Sequence, residues 1–157
     1  MKKTMLIVSC IISVLIFTQV CYSHCQIPCG IYDDEARFAM IAEDITTIEK
    51  SMNEIISLSK KKEKNYNQIV RWIENKEVHA DKIMNTVTYY FMAQRIKPVP
   101  SEDVKGYKQY QDKITVLHQM LVYAMESKQT TDLKNVKKLR ELLKQFHELY
   151  HKHSNVT

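Results

Sequence analysis

Between Asp34 and His151 the chain carries a single glycine, Gly106, and its apolar residues recur every three or four positions over nearly the whole stretch. A backbone with so few flexible points and that period is a helical one. Four helices are expected. The first runs from about Asp34 to Ser59, with Ile41, Ile45, Ile48, Met52 and Ile55 on one face and Asp33 or Asp34 as its cap, since a carboxylate there accepts the free N–H groups of the first turn. Lys60 to Asn65 is a charged break. The second runs from about Tyr66 to Ile96, with Ile69, Ile73, Ala80, Ile83, Val87 and Tyr90 on a stripe that Lys76 interrupts, and Pro98 and Pro100 mark its end. The third, from Ser101 to about Glu126, carries Tyr107, Tyr110, Ile114, Leu117, Leu121 and Ala124 behind the capping signals of Ser101, Glu102 and Asp103. The fourth, from Thr131 to His151, carries Val136, Leu139, Leu143, Phe146 and Tyr150, with Thr131 or Asp132 as its cap. Four amphipathic helices with mostly short connections bury their stripes against one another. The expected fold is all-α, an antiparallel four-helix bundle over about residues 34–152.

The first 23 residues have a different character. Lys2 and Lys3 precede a mostly apolar run from Met5 to Phe17, and Cys21 and Ser23 occupy the two small-residue positions of a cleavage site. This is the build of a secretory signal peptide, cut between Ser23 and His24 by a signal or processing protease. An uncleaved membrane anchor is the competing reading, since counting through Tyr22 approaches the roughly 18 apolar residues a span requires; Thr18 and Gln19 shorten the run. Cleavage implies export, to the periplasm or the external medium, and leaves residues 24–157 as one domain. The leader takes two of the 23 basic residues and none of the 18 acidic ones, so the exported part is only weakly basic. The basic residues are scattered among acids, Trp72 is the only tryptophan, and no nucleic-acid motif is present, which argues against a nucleic-acid partner.

Of the four cysteines, Cys10 and Cys21 leave with the leader, and Cys25 and Cys29 remain beside the new terminus. An exported protein favours a disulfide, yet a bridge closing so short a loop constrains little chain entropy and has no core to staple. The other reading is a metal site. Once His24 is the first residue it offers an α-amine, with a pKa of about 7.7–8.0, and an imidazole. A metal bound by that amine, the amide nitrogen of Cys25 and the sulfurs of Cys25 and Cys29 would sit in a square N₂S₂ plane, a geometry that suits Ni(II) or Cu(II) and not tetrahedral zinc. Pro28 fixes φ ahead of Cys29 and Gly30 relaxes it afterwards, so the chain can curl and present both sulfurs to one ion.

The stretch His24-Cys25-Gln26-Ile27-Pro28-Cys29-Gly30-Ile31-Tyr32 resembles the nickel hook of the nickel superoxide dismutases, His-Cys-x-x-Pro-Cys-Gly-x-Tyr at a processed N-terminus, at every fixed position. The resemblance implies a four-helix bundle assembled as a homohexamer, one nickel ion per chain, and superoxide as substrate. Superoxide would be disproportionated to dioxygen and hydrogen peroxide by Ni(II)/Ni(III) cycling, an antioxidant activity. It also implies metal ligation by His24, Cys25 and Cys29, with the His24 imidazole axial in the oxidised state and Tyr32 over the open face of the metal as a gate. Electron-rich thiolates and a deprotonated amide would stabilise the higher oxidation state. Tyr90 resembles a second family tyrosine, and Glu43, Glu77 and His79 are candidates for orienting the axial imidazole. Gln26 stands where some family members have an acid.

His147-Glu148-Leu149-Tyr150-His151 also matches H-E-x-x-H, which on a helix sets two imidazoles on one face. The chain ends six residues later, leaving no room for the usual downstream ligand, and His118 or His79 would have to supply a third donor. A chance match in a histidine-rich tail is the preferred reading over a metalloprotease or half of a di-iron site, with copper or zinc scavenging by the tail next. The non-enzymatic alternative for the whole chain is a secreted helical bundle with a Cys25–Cys29 disulfide, or a metal-binding protein.

Overall fold

The computed structural model describes residues 33–152, so the leader and the hook lie outside the described residues. Four helical segments follow: α1, Asp34–Lys60; α2, Tyr66–Asn85, which continues without a break into a π-helix, Thr86–Arg95; α3, Val104–Gln129; and α4, Leu133–His151. There is no strand among the described residues. Each α-helix that opens after a loop is started by a side chain that accepts from a first-turn N–H: Asp33 from Glu35 at 2.9 Å, Asn65 from Gln68 at 3.1 Å, Asp103 from Gly106 at 2.9 Å and Asp132 from Lys134 at 2.9 Å. Asp33 is therefore the cap of α1, which frees Asp34 for another role. Gly106 is required by the Asp103 cap, because a Cβ added there would come within 2.2 Å of Asp103 Oδ2.

The helices form a ring in which α1 packs on α2, α2 on α3, α3 on α4, and α4 closes back on α1. Neighbours run antiparallel, as the side-chain pairs record. Asp34 meets Tyr90, Asp44 meets His79 and Ser51 meets Asn75 as α1 ascends and α2 descends. Asp34 meets Tyr150 and Glu49 meets Arg140 across α1 and α4. The starts of α1 and α3 and the ends of the π-helix and α4 thus share one end of the bundle. The expected stripe of α1 is buried throughout, as are the α4 residues Val136, Leu139, Leu143 and Phe146. Phe38, Phe91 and Phe146 stack at the α1-start end with ring centroids 4.9–5.4 Å apart.

The second stripe departs from expectation at both ends. Ile73 is 39% exposed and Ile69 only partly buried, so the first turns of α2 do not face the core of the chain. The buried face begins at Lys76, the residue expected to interrupt it. Lys76 is 3% exposed, and its ammonium donates to the carbonyls of Ser127 (2.7 Å) and Lys128 and to Glu77 (3.1 Å). These carbonyls belong to the last turn of α3, where helical partners run out, so the lysine acts as a C-terminal cap supplied from another helix. At the other end, the expected α-helix to Ile96 becomes a π-helix over its last ten residues. Bonding each carbonyl to the N–H five residues on aligns positions i and i+5. It brings both adjacent aromatics, Tyr90 and Phe91, into the core, and sets Arg95 beside Tyr90.

Replacing Lys76 with Ala should destabilise the protein by about 1–3 kcal/mol, the cost of leaving buried carbonyls without a donor. Urea unfolding measures this, and an unchanged midpoint would mean that water reaches the α3 terminus in place of the ammonium.

Candidate metal centre

His24, Cys25, Cys29 and Tyr32, the residues singled out for metal binding and gating, lie outside the described residues. The chain enters the bundle at Asp33, and the next residue, Asp34, is the centre of a polar cluster. Tyr90 donates its hydroxyl to Asp34 Oδ1 and Tyr150 donates to Oδ2 at 2.7 Å, while Arg95 Nε stands 2.9 Å from Oδ1 and Arg95 Nη2 donates to the Tyr90 oxygen at 2.8 Å. One carboxylate thereby ties the first turn of α1 to the π-helix and to the last turn of α4. Each part of the cluster depends on a local feature already described. Asp33 takes the capping role, the i+5 register aligns Arg95 with Tyr90, and the antiparallel α1–α4 contact delivers Tyr150.

The electrostatics follow from these contacts. Burial pushes the Asp34 carboxyl up, but the Tyr150 and Tyr90 hydrogen bonds and the Arg95 charge outweigh it, and the net effect is a pKa below the usual 3.8. Tyr90 and Tyr150 move the other way, since burial and then the Asp34 carboxylate disfavour a phenolate, so both hydroxyls remain donors. Positive charge gathers around them. The guanidinium carbons of Arg37 and Arg95 lie 5.2 and 4.9 Å from the Tyr90 ring centroid, and Lys113 Nζ lies 6.0 Å from that of Tyr150. A cavity of about 160 Å³ opens beside the cluster, with Arg95, Ile96, Tyr110 and Lys113 in its wall. Burial lowers the Lys113 pKa below its ordinary value.

Tyr90, which resembles a second family tyrosine, belongs to this cluster, and none of the three candidates for orienting the axial imidazole does. His79 Nδ1 instead lies 2.6 Å from Asp44 Oδ1, ten residues further along α1, or about 15 Å. Burial raises the Asp44 carboxyl above its usual value, and the contact with His79 only partly offsets this. Glu77 is engaged by Lys76 and Lys128 toward the far end of the bundle, and Glu43 is exposed. Sequence reasoning missed Asp34, Arg95 and Tyr150 as a unit. The adjacent acids Asp33-Asp34 were the available signal, because one cap needs only one of them.

The H-E-x-x-H match also acquires a partner that the sequence reading did not supply. His147 and His151 both turn toward Glu35 on α1, with His147 Nε2 3.1 Å from Oε2 and His151 Nε2 2.5 Å from Oε1. The third residue is neither His79, which is paired with Asp44, nor His118, which is exposed on α3.

A four-helix bundle whose sequence supplies a histidine and two cysteines directly ahead of its first helix is, in class, a helical metalloprotein. The family model for nickel-containing superoxide dismutase matches residues 19–154, and the chain belongs to that family. It is thus a nickel-dependent oxidoreductase that disproportionates superoxide to dioxygen and hydrogen peroxide. No curated protein and no solved structure matches the chain.

The Asp34 cluster should be visible in the acid limb of stability. Because its folded-state pKa is depressed, Asp34 contributes fully above the unfolded-state value near 3.8, and the contribution is lost as pH falls through the lower folded-state value. Asp34→Asn should therefore lower unfolding free energy by a constant amount from neutral pH down to about pH 5, and that gap should close in stronger acid. Urea titrations of both proteins across pH measure it; a gap that widens in acid would contradict the assignment.

Proposed function

We propose that nickel is held by His24, Cys25 and Cys29 at an N-terminus created by cleavage between Ser23 and His24. The observation that carries this reading is the complete motif His24-Cys25-x-x-Pro28-Cys29-Gly30-x-Tyr32, inside the matched span and ending one residue before the Asp33 cap of α1. The donor set fits the metal: two thiolates, a terminal amine and a deprotonated amide are strong donors suited to a square plane. Bound nickel supplies a one-electron Ni(II)/Ni(III) couple, through which two superoxide anions and two protons become dioxygen and hydrogen peroxide.

The chain's own residues do the rest. The His24 amine and imidazole, the amide nitrogen and sulfur of Cys25 and the sulfur of Cys29 would hold the ion. Pro28 and Gly30 shape the turn. Tyr32 gates access, its phenol offering an apolar body and a polar tip. Arg37, Arg95 and Lys113 supply positive potential at the end of the bundle where the chain joins it, which favours approach of an anion. The leader directs the protein to the periplasm or the external medium, so the metal is loaded after export, when the amine is free. The protein works as a homohexamer; the exposed Tyr66, Val70 and Ile73 on α2 offer apolar surface for such an assembly.

Superoxide decay followed by stopped flow, with equimolar nickel, tests the amine requirement. The chain beginning at His24 should be active, and the same chain with one extra residue ahead of it should not. Equal activity in both would refute ligation by the terminal amine. Cys25→Ser and Cys29→Ser should each abolish nickel binding and activity together, and undiminished activity in either would remove that sulfur from the site.

A further inference from the structure

The two imidazoles of the H-E-x-x-H match and the carboxylate of Glu35 converge on one point. A donor atom from each of Glu35, His147 and His151 lies within 4.8 Å of the other two. Zinc bound tetrahedrally about 2.0–2.1 Å from nitrogen and oxygen donors needs those donors about 3.3 Å apart. His147 Nε2 and His151 Nε2 lie 3.2 and 2.5 Å from the same oxygen, Glu35 Oε1, both short of that spacing, so a small opening on the His151 side would complete the site.

The residues are also held for the purpose. His147 and His151 are one helical turn apart on α4, with ring centroids 4.4 Å from each other. The Phe38 ring meets His147 edge-on at 4.7 Å and contacts His151 at 5.9 Å, so a core residue sets the plane of both imidazoles from beneath. Tyr150, whose hydroxyl is committed to Asp34, flanks His151 at 5.3 Å.

A second observation separates this cluster from an ordinary surface ion pair. His151 Nε2 is shielded from solvent and makes no hydrogen bond of acceptable geometry, although the Glu35 oxygen is only 2.5 Å away. A nitrogen crowded against a carboxylate without a proper bond to it is relieved when a cation stands between the two.

We propose that Glu35, His147 and His151 form a second metal site, separate from the nickel hook, that takes a divalent ion of the zinc type through two imidazole nitrogens and one carboxylate oxygen. Two imidazoles and a carboxylate with a fourth position left to water is an ordinary zinc donor set, and it lacks the thiolates that the hook supplies. Its place in the fold gives it a structural consequence. The ion would clamp the first turn of α1, three residues beyond Tyr32, to the last turn of α4, beside the contact that Asp34 makes with Tyr150.

The test is a zinc titration by calorimetry and by competition with a chromophoric chelator, using the protein as isolated after export. Cys25→Ser, Cys29→Ser and His24→Ala are present throughout, so neither the thiolates nor the imidazole of the hook compete. The expected result is one zinc per chain. His147→Ala, His151→Ala and Glu35→Gln should each weaken it, the histidine variants by at least about 100-fold, the upper end of what loss of an outer-shell partner alone costs. His118→Ala should leave binding intact, and circular dichroism should show unchanged helix content in every variant. Absence of zinc binding in the parent, or equal affinity after His147→Ala and His151→Ala, would overturn the proposal.

Discussion

The carboxylate of Asp34 is the contact on which the end of the bundle where α1 begins depends. It sits in the first turn of α1 and accepts hydroxyls from Tyr90 and Tyr150 while pairing with Arg95, so three helical segments meet on one side chain. Beneath it the Phe38, Phe91 and Phe146 rings fill the space between the same segments. Aromatic burial supplies the non-directional part of the stabilisation, and the carboxylate fixes direction and register. The nine-residue motif joins the bundle through Tyr32 and Asp33, immediately ahead of this anchored turn. A segment of that length, proposed here to hold the nickel, has too little apolar surface to build a core of its own. It needs a rigid element at its base, and the cap at Asp33 with the clamp at Asp34 provides one.

The π-helix is the second requirement. In an α-helix two adjacent large aromatics point about 100° apart, and Arg95 would not lie over Tyr90. Opening the hydrogen-bond pattern to i+5 places both Tyr90 and Phe91 in the core and aligns Arg95 with Tyr90. π-Helical segments are uncommon and collect at functional sites. This one lies at the end of the bundle where the chain enters, and it gives that end the guanidinium of Arg95 and the buried phenol of Tyr90.

The four-helix architecture was legible because burial imposes its period on the sequence, and on α1 every expected core residue is in fact buried. The second helix was harder to read. Ile69 and Ile73 have the spacing of a core stripe, yet an isolated chain leaves Ile73 exposed, while Lys76 is buried because its ammonium finds two terminal carbonyls on α3. Hydrophobic period cannot show that a distant helix end will satisfy a lysine. The π-helix left no mark either, since a run with apolar residues at 87, 90 and 91 suits both hydrogen-bond patterns. At the chemistry-bearing end, the motif from His24 to Tyr32 was readable from residue types alone. Glu35 was not recognised as a partner of His147 and His151 because 112 positions separate it from His147, and only the closure of α4 on α1 brings them together.

The account assigns to one small bundle two metal-binding sets of different chemistry: a sulfur-rich hook for a redox metal and a nitrogen–oxygen cluster on the helices. Nickel K-edge X-ray absorption on the nickel-loaded protein separates them most directly, because sulfur and light-atom donors scatter differently. The account predicts a nickel coordination shell containing two sulfurs together with nitrogen donors. A shell of nitrogen and oxygen alone, as the Glu35, His147 and His151 cluster would give, would contradict nickel binding by Cys25 and Cys29.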